Sequence, residues 1–339
     1  MRLIKTENAV GHVLCHDMTQ IIKDQYKDAR FRKGHVVTEE DIPVLLSMGK
    51  EHLYVWEMTS GMVHENDAAE RLLALCGQEN MIRSGVKEGK IELKAACDGV
   101  FLVDSARLVA VNSQDEVMIA TRKGGMAVRE GDKLAGMRVI PLIIEEEKLR
   151  KAEQAAGDEP LLSLKPYVRK TACIVATGGE VKKGLIKDTF TPVVIDKLKT
   201  YGIETLEVVY SGDGVENVRD AVLTMREKKP DMILCTGGMS VDPDDNTPGG
   251  IKAAGANIIA YGAPVLPGAM FLLGYFDDGM PVMGLPGCVM YAGATVFDLV
   301  LPKIAADVPV TRADIAALGE GGLCLGCKPC HYPICPFGK

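Results

Sequence analysis

Aromatic residues are scarce in this 339-residue chain: they make up 5% of it and include one tryptophan. Proteins that hold single-stranded nucleic acid usually stack the bases on aromatic side chains, so the composition argues against such a platform. The 39 lysines and arginines are outnumbered by 46 aspartates and glutamates, give a formal net charge of -7 and gather into no basic patch. A groove for a phosphate backbone needs such a patch, and we therefore expect no nucleic-acid partner.

Export and membrane signals are also lacking. The amino-terminal segment carries Lys5 and Glu7 and has no apolar core of the kind found in signal peptides. One uncharged run, residues 253–276, is long enough to cross a bilayer, but four glycines and two prolines interrupt it. Such interruptions favour loops between buried strands. We expect no membrane partner and a cytoplasmic location.

Hydrophobic residues make up 47% of the chain, enough for packed cores, and the length predicts more than one domain. Residues 1–88 mix short helices and strands. Residues 89–144 alternate short strands, among them Leu108–Val111, with turns such as Asp98-Gly99, which predicts a small all-β domain. A charged linker helix is expected over residues 145–166.

Between residues 167 and 310 the pattern changes to strand, loop and helix. Apolar strands such as Ala172–Ala176 and Met232–Cys235 alternate with helices, two of which begin at Thr-Pro pairs. This pattern predicts an α/β domain, a mostly parallel sheet with helices on both faces. In such sheets ligands bind at the carboxyl ends of the strands. The remaining residues, 311–339, form a cysteine-rich tail.

Two of the predicted strands end in the same tripeptide, Thr177-Gly178-Gly179 and Thr236-Gly237-Gly238. Paired glycines let backbone N–H groups approach an anion closely, and the threonine hydroxyl adds a donor. A tight strand exit is the alternative interpretation, and the repetition at corresponding strand ends puts the two on an equal footing. No G-x-G-x-x-G follows a strand and no P-loop motif is present, which argues against both common nucleotide sites.

Acidic residues follow both tripeptides. The second loop passes through Asp242, Asp244 and Asp245 to a helix start at Thr247-Pro248, and the first offers Asp188 before another helix start. Carboxylates beside an anion suit a divalent cation that bridges them to phosphate, and the helix dipole favours the phosphate itself. The alternative, a solvated or helix-capping aspartate, is favoured for Asp242 and Asp244.

At this point the sequence resembles a known family. Residues from about 170 to 307 resemble the molybdopterin-binding domain shared by the adenylyltransferases and molybdotransferases of molybdenum cofactor biosynthesis. The matching pieces are Thr177-Gly178, the G-x-I-x-D element Gly184–Asp188, Thr236-Gly237-Gly238 with Asp245, and Gly284-Leu285-Pro286-Gly287. Met239-Ser240-Val241 is similar to the molybdotransferase branch, and Asp245-Asn246-Thr247-Pro248 to the adenylyltransferase branch.

The resemblance implies a transferase that binds molybdopterin in its adenylylated form. Asp188 and Asp245 are then the catalytic residues and hold Mg²⁺, and molybdate replaces the adenylate as molybdenum reaches the dithiolene. The implied binding residues are Thr177, Gly178, Gly179, Thr236, Gly237, Gly238, Ser240, Thr247, Pro286 and Gly287. The expected partners are a pterin and a nucleotide, and the expected assembly is a homo-oligomer, either dimer or trimer.

Two alternatives stay open. An ATP-dependent molybdopterin adenylyltransferase is favoured by the segment Asp245–Pro248. A carrier or sensor that binds the cofactor without turnover is favoured by a departure from the family, because the Asp-Gly-Tyr-Ala segment of molybdotransferases has no counterpart here. The carboxy-terminal β domain of that branch is also replaced by the tail, and Cys288 stands where the family's turn has asparagine.

The tail carries four cysteines within twelve residues, Cys324, Cys327, Cys330 and Cys335, in the spacing C-x2-C-x2-C-x4-C. With no export signal, a disulfide framework is not expected, and four thiolates at this spacing can ligate Zn²⁺ or an iron–sulfur cluster. His331 can replace one of them. The alternative is a flexible tail with reduced thiols.

Overall fold

The computed structural model describes residues 2–22, 26–55, 61–242 and 245–339. The chain divides into two compact units. The first consists of Met1–Ala96, Val103–Gly124 and Gly131–Ser163. The second consists of Cys97–Leu102, Gly125–Glu130 and Leu164–Lys339. The finer division into five segments stays a prediction.

The strands and helices are numbered in chain order. The strands are β1 (Arg2–Lys5), β2 (Met18–Ile22), β3 (Tyr26–Phe31), β4 (His52–Val55), β5 (Met62–His64), β6 (Met81–Arg83), β7 (Ile91–Ala95), β8 (Gly99–Val103), β9 (Val117–Thr121), β10 (Met126–Val128), β11 (Lys133–Val139), β12 (Ile143–Glu145), β13 (Leu162–Pro166), β14 (Thr171–Thr177), β15 (Glu204–Ser211), β16 (Met232–Thr236), β17 (Asn257–Tyr261), β18 (Leu272–Tyr275) and β19 (Pro281–Leu285). The helices are α1 (Asp41–Ser47), α2 (Glu65–Cys76), α3 (Ser105–Asn112), α4 (Glu146–Ala156), α5 (Gly179–Lys182), α6 (Phe190–Lys199), α7 (Val215–Glu227), α8 (Thr247–Ala253), α9 (Val296–Ala305) and α10 (Arg312–Ala317), with short 3-10 turns at Thr6–Asn8 and Gly287–Met290.

The first unit is built from small antiparallel sheets. β6, β7, β11 and β9 form a four-stranded sheet, while β1 pairs with β4, β2 with β3 and β5 with β12. Leu14, Leu45 and Leu53 belong to one buried apolar cluster, which packs α1 against β4. The helix α4 lies within the segment 145–166, where the sequence predicts a charged helix.

One prediction for this unit is wrong. Leu108–Val111, predicted as a strand, lies in α3, so the segment 89–144 is not all-β. The helix begins where Asp104 accepts a hydrogen bond from the backbone N–H of Arg107 at 3.0 Å. Asp104 and Arg107 are also joined through their side chains at 2.9 Å. These local contacts at the first turn favour a helix and outweigh the strand preference of the branched residues that follow.

The second unit contains a six-stranded sheet within the region 167–310. Its strand order is β15-β14-β16-β19-β18-β17. The neighbours β15, β14, β16 and β19 are parallel, whereas β18 runs antiparallel to β19 and to β17. The predicted α/β class is confirmed. A separate sheet of order β10-β8-β13 lies in the same unit.

Helices cover both faces of the large sheet, because successive strand residues point to opposite faces. In β14, Ala172 and Ile174 share a buried cluster with residues of α6 and α9. Cys173 and Val175 share a second cluster with residues of α7 and α8. Burial on both faces explains why these strands are short continuous apolar runs in the sequence.

Asp298 fixes the start of α9. Its Oδ2 accepts a hydrogen bond from the backbone N–H of Thr295 at 2.7 Å, and the Thr295 hydroxyl accepts one from the N–H of Phe297 at 3.2 Å. The Oδ1 of Asp298 pairs with the ammonium group of Lys197 in α6, and these two side chains are 12% and 16% exposed. The tail reaches the same residue, because the Tyr332 hydroxyl donates to the Asp298 carbonyl at 3.0 Å. Asp298 therefore joins α6, α9 and the tail.

The uncharged run at residues 253–276 forms β17 and β18 with the loops around them, as the sequence predicts. No helix in the described residues is both long and apolar enough to cross a bilayer.

Candidate ligand-binding site

The carboxyl ends of three parallel strands meet at one edge of the large sheet. The register pairs Ala176 of β14 with Thr236 of β16, and Thr236 with Leu285 of β19. The strand order also switches here, since β15 lies on one side of β14 and β16 on the other. Such a switch point is where α/β sheets open a crevice for ligands. The segments that follow, residues 178–189, 237–246 and 286–295, are here called loop A, loop B and loop C.

Two threonine hydroxyls hold the strand ends and loop B together. Thr177 Oγ1 donates to the Thr236 carbonyl at 2.9 Å, and Thr247 Oγ1 donates to the Gly237 carbonyl at 2.9 Å. The two hydroxyl oxygens lie 3.1 Å apart. A hydroxyl has one proton, so donation to these carbonyls leaves neither group a proton for a ligand. The Thr177 proton thus joins the ends of β14 and β16, and the Thr247 proton joins the start of α8 to loop B.

Gly237 and Gly238 sit where a side chain does not fit. Gly237 has φ +81°, and a Cβ there would lie 2.3 Å from the carbonyl oxygen of Thr177. Gly238 has φ +58°, and its Cβ would lie 2.6 Å from Oγ1 of Thr247. Within the part of the chain that the structure describes, the backbone N–H groups of Gly237 and Gly238 donate to no other residue. These two groups are the donors that loop B can offer to an anion.

The equivalent N–H groups of loop A already have acceptors. Gly178 N–H donates to the Ser211 carbonyl at 3.2 Å, and Gly179 N–H donates to Oδ2 of Asp213 at 3.1 Å. A Cβ on Gly179 would lie 2.7 Å from that carboxylate oxygen. The two tripeptides therefore differ in the folded chain. In loop A the carboxylate of Asp213 accepts the N–H of the last glycine, whereas in loop B no carboxylate of the described residues takes that position. Nothing in either tripeptide signals this difference, because Asp213 follows another strand, β15.

Asp188 holds the start of α6. Its Oδ1 accepts hydrogen bonds from the backbone N–H groups of Phe190 at 2.9 Å and Thr191 at 3.0 Å, and its Oδ2 accepts one from the Tyr210 hydroxyl at 3.2 Å. Burial acts to raise the pKa of Asp188, but the hydrogen bonds from Thr191, Phe190 and Tyr210 outweigh it, so the pKa is lowered. The carboxylate is thus stabilised in its charged form by the fold itself.

The lowered pKa of Asp188 gives a pH prediction. A carboxylate with a lower pKa in the folded chain adds stability above its unfolded pKa, and this stability is lost as the pH falls through the folded value. Asp188→Asn removes that contribution, so we expect the variant to lose less stability than the wild type between neutral pH and pH values below the ordinary 3.8. The free energy of unfolding of both proteins is measured in urea across this pH range.

Asp196→Asn is the matched control, because Asp196 lies in the same helix and its side chain is 76% exposed. Its acid dependence should follow the wild type. Equal acid dependence of Asp188→Asn and the wild type would contradict the capping role.

Asp245 has fewer partners than Asp188. Its backbone N–H donates to the Asp242 carbonyl at 2.9 Å, and the residue is half-buried. Among the described residues, no hydrogen bond reaches its carboxylate. Burial, and then the charge of Asp245, raise the pKa of Tyr261. Ser240, also assigned to the site, is exposed in the same loop, and Asp244 lies outside the described residues.

Loop C approaches loop A, and loop B packs on β19, the strand that leads into loop C. The hydroxyl of Thr189, at the end of loop A, contacts the sulfur of Met290 at 3.0 Å. Met239 of loop B packs on Gly284 of β19, where a Cβ would lie 2.5 Å from the Met239 sulfur. Pro286-Gly287, predicted to bind the ligand, begins loop C at the same edge of the sheet. The structure therefore brings the predicted residues of the three loops to one edge.

Loop A also carries basic residues that were not predicted to belong to the site. Lys182, Lys183 and Lys187 are exposed there, opposite in sign to the aspartates of loop B. Lys182 lies over the turn after β15, because its Nζ is 3.8 Å from the Cβ position of Gly212. Three lysines in a loop resemble any solvated segment, and only the fold shows that they stand at the strand ends. Their charge attracts a phosphorylated ligand.

Large apolar side chains are exposed on all three loops. Leu185 and Ile186 of loop A are 71% and 57% exposed, Val241 of loop B is 83% exposed, and Tyr291 of loop C is 77% exposed. Exposed apolar side chains at one edge are typical of a surface that binds a ligand or a partner. The edge thus combines free N–H donors, lysines, a carboxylate and apolar surface.

Comparison with known proteins identifies this region. Residues 173–306 match a family described as "Probable molybdopterin binding domain", and residues 3–57 match a domain of unknown function. The family matched over residues 173–306 is the one that the sequence motifs of this region resemble.

The curated relatives are CinA-like proteins. One from Mycobacterium tuberculosis is 32% identical over 80 residues, which are 24% of this chain and 19% of the relative. One from Petrotoga mobilis is 32% identical over 76 residues, which are 22% of this chain and 19% of the relative. The match thus spans about a fifth of the length of these relatives.

Solved structures of molybdopterin biosynthesis proteins are also similar. The Mog protein from Mycobacterium ulcerans is 20% identical, with a TM-score of 0.35, and the match covers 41% of this chain and 99% of that one. The tungsten cofactor synthesizing protein MoaB from Pyrococcus furiosus is 17% identical, with a TM-score of 0.31, and the match covers 41% and 89% of the two chains.

Proposed function

We propose that the second unit binds adenylylated molybdopterin at loops A, B and C and inserts molybdate into it in a Mg²⁺-dependent reaction. The observation that carries the proposal is the turn of loop B. Its glycines press against Thr177 and Thr247, and its Gly237 and Gly238 N–H groups have no acceptor among the described residues. A turn with two such N–H groups can bind an anionic group of the ligand, such as a phosphate.

The remaining features of the edge suit the rest of that ligand. The chain as a whole has a net charge of -7, which does not favour a phosphorylated ligand. Local positive charge for the phosphate groups comes from Lys182, Lys183 and Lys187. The exposed Leu185 and Tyr291 supply apolar surface for a flat heterocycle. The family match over residues 173–306 supports a pterin as that heterocycle.

The two aspartates differ in how well they fit Mg²⁺. This ion is usually held by one or two carboxylates, together with water and the phosphate oxygens of a substrate. Asp245 fits such a site, since no described residue donates to its carboxylate. Asp188 already accepts three hydrogen bonds, which leaves about one of its four acceptor positions free. When bound, Mg²⁺ neutralises charge on the phosphate oxygens.

The chain's own residues then do three things. The N–H groups of Gly237 and Gly238 orient a phosphate, Asp188 keeps the start of α6 in place beside loop A, and Asp245 holds the ion next to the phosphoanhydride. In the proposed reaction, water cleaves the phosphoanhydride and AMP leaves. Molybdenum then binds the two dithiolene sulfurs, whose two protons leave with one oxygen of molybdate as water.

Asp245→Asn tests the metal role. We expect Mg²⁺-dependent turnover to fall by about 100-fold or more, as for the loss of one group that stabilises transition-state charge, while the fold is kept. Asp188→Asn is expected to impair turnover as well. The matched control is Asp242→Asn, an exposed residue of the same loop whose loss should leave turnover unchanged. Full activity in both Asp245→Asn and Asp188→Asn would refute these roles.

One assay separates this function from its alternatives. The full chain is incubated with molybdopterin and ATP, or with adenylylated molybdopterin and molybdate, and the products are analysed. Mature cofactor supports the proposal. Adenylylated pterin supports an adenylyltransferase, the function favoured by Asp245-Asn246-Thr247-Pro248 at the start of α8. Binding alone supports a carrier, and no binding of any pterin would overturn all three.

A further inference from the structure

The tail is irregular yet packed. No helix or strand follows α10 in the described residues 318–339. The segment is nonetheless attached to the second unit, because the Cys324 N–H donates to the Leu266 carbonyl and the Leu266 N–H donates to the Gly322 carbonyl, both at 2.8 Å. Phe337 is 3% exposed and belongs to the main buried cluster, beside Tyr332. A packed segment without regular structure needs other means of fixing its backbone.

All four tail cysteines line one cavity. It measures about 270 Å³, and its lining includes Cys324, Cys327, Cys330, Cys335 and His331. All four cysteines are free thiols. Ala294 of loop C lines the same cavity, so the thiols are gathered next to a loop of the candidate site.

We propose that these four thiolates form a single metal centre, of the tetrathiolate kind that binds Zn²⁺ or an iron–sulfur cluster. The spacing C-x2-C-x2-C-x4-C supplies four soft ligands within twelve residues, and the fold places all of them around one space. Each metal–sulfur bond replaces an S–H bond, and the proton passes to the solvent.

The side chains turn inward when the metal binds. In the described residues no three His, Cys, Asp or Glu side chains are close enough together to hold an ion. Cys327 and Cys330 are exposed, so their side chains can rotate without displacing a packed core. Gly326, with φ +66°, adds a turn directly before Cys327. Such a turn inside a C-x2-C spacing is typical of a metal-binding knuckle.

Metal binding also fixes loop C. Cys330 packs on Gly293, where a Cβ would lie 2.9 Å from the Cβ of Cys330, an atom that stays in place when the cysteine side chain rotates. Loop C begins with Pro286-Gly287. A centre that holds Cys330 therefore holds the loop that carries these two residues, and the link from there to pterin binding rests on the proposed function.

The test uses the full chain purified without oxygen and without pterin. Zinc and iron are measured by mass spectrometry, and iron–sulfur absorption by ultraviolet–visible spectroscopy. We expect a stoichiometric metal, with Cys327→Ser and Cys330→Ser losing it. Cys97→Ser, a partly buried cysteine outside the tail, is the matched control and should keep it. Hydrogen exchange of residues 287–295 should be slower in the metal-loaded chain than in the chelated one.

A chain that carries no metal after anaerobic purification, and takes up neither Zn²⁺ nor iron with sulfide, would overturn the proposal. Metal that survives both serine substitutions would overturn it as well. If the serine variants do not fold, metal loss is measured instead by titrating the wild type with a chelator, which needs no substitution. Metal content is measured without pterin, so a failure here is distinct from a failure of the proposed function.

Discussion

Gly237→Ala is expected to destabilise the second unit strongly and to abolish pterin binding. The residue has φ +81°, which costs an alanine about 1–2 kcal/mol. Its Cβ would also lie 2.3 Å from the carbonyl oxygen of Thr177, a backbone atom of a buried parallel strand that cannot move aside. Overpacking of this kind costs about 1–3 kcal/mol more. Any movement that relieves the clash separates loop B from loop A.

Gly255→Ala separates the cost of the positive φ from the cost of the steric clash. Gly255 also has a positive φ, +93°, but nothing lies within 4 Å of its Cβ position. We expect it to lose about 1–2 kcal/mol in urea unfolding and to bind pterin normally. The free energy of unfolding and the dissociation constant for pterin are measured for both variants. Equal losses of stability, or normal pterin binding by Gly237→Ala, would show that the close approach of the two loops is unimportant.

Asp298→Ala is expected to have the second large effect, a loss of about 3–5 kcal/mol in the free energy of unfolding. The substitution removes the partner of Lys197, whose side chain is 16% exposed, and leaves its charge buried without compensation. It also removes the carboxylate that accepts the Thr295 N–H at the start of α9. Both effects act on the same side of the sheet.

Asp196→Ala is the control for this prediction. Asp196 pairs with Lys199 at 3.2 Å, but these side chains are 76% and 67% exposed. Solvent screens such a pair, so its loss should change stability by less than about 1 kcal/mol. A double substitution, Asp298→Asn with Lys197→Met, should recover part of the stability, because it no longer leaves a lone buried charge. Equal losses in the free energy of unfolding for Asp298→Ala and Asp196→Ala would show that the buried ion pair contributes no more than the exposed one.

The alternation of strands and helices in the second unit was predictable from the sequence. Strands buried on both faces are continuous apolar runs, and Thr247-Pro248 marks the start of α8 in the sequence as in the fold. The first unit was harder. Leu108–Val111 has the branched residues of a strand, and its helix is decided by Asp104 and Arg107 just before it. Short segments of this kind depend on one turn of local hydrogen bonds.

The candidate site was predictable as a set of loops, but the role of each group within it was not. The tripeptides at Thr177 and Thr236 are identical in sequence, yet Asp213 occupies an N–H group of the first alone. Asp188 and Asp245 both precede helices, yet only Asp188 is shown to accept hydrogen bonds from the backbone and from Tyr210. Two of the groups involved, Tyr210 and Asp213, belong to β15 and the turn after it, and a motif contains no information about them.

The contacts of Asp298 also bear on the order in which the chain folds. Its partner Lys197 is 101 residues away and Tyr332 is 34 residues away. Contacts between distant residues form late, since the entropy of closing the intervening loops must first be overcome by other interactions. Tyr332 and Asp298 are the closer of these two pairs along the chain, so the tail can dock on α9 before Lys197 of α6 reaches Asp298. Until the tail docks, its four cysteines stay accessible to whatever supplies or competes for metal.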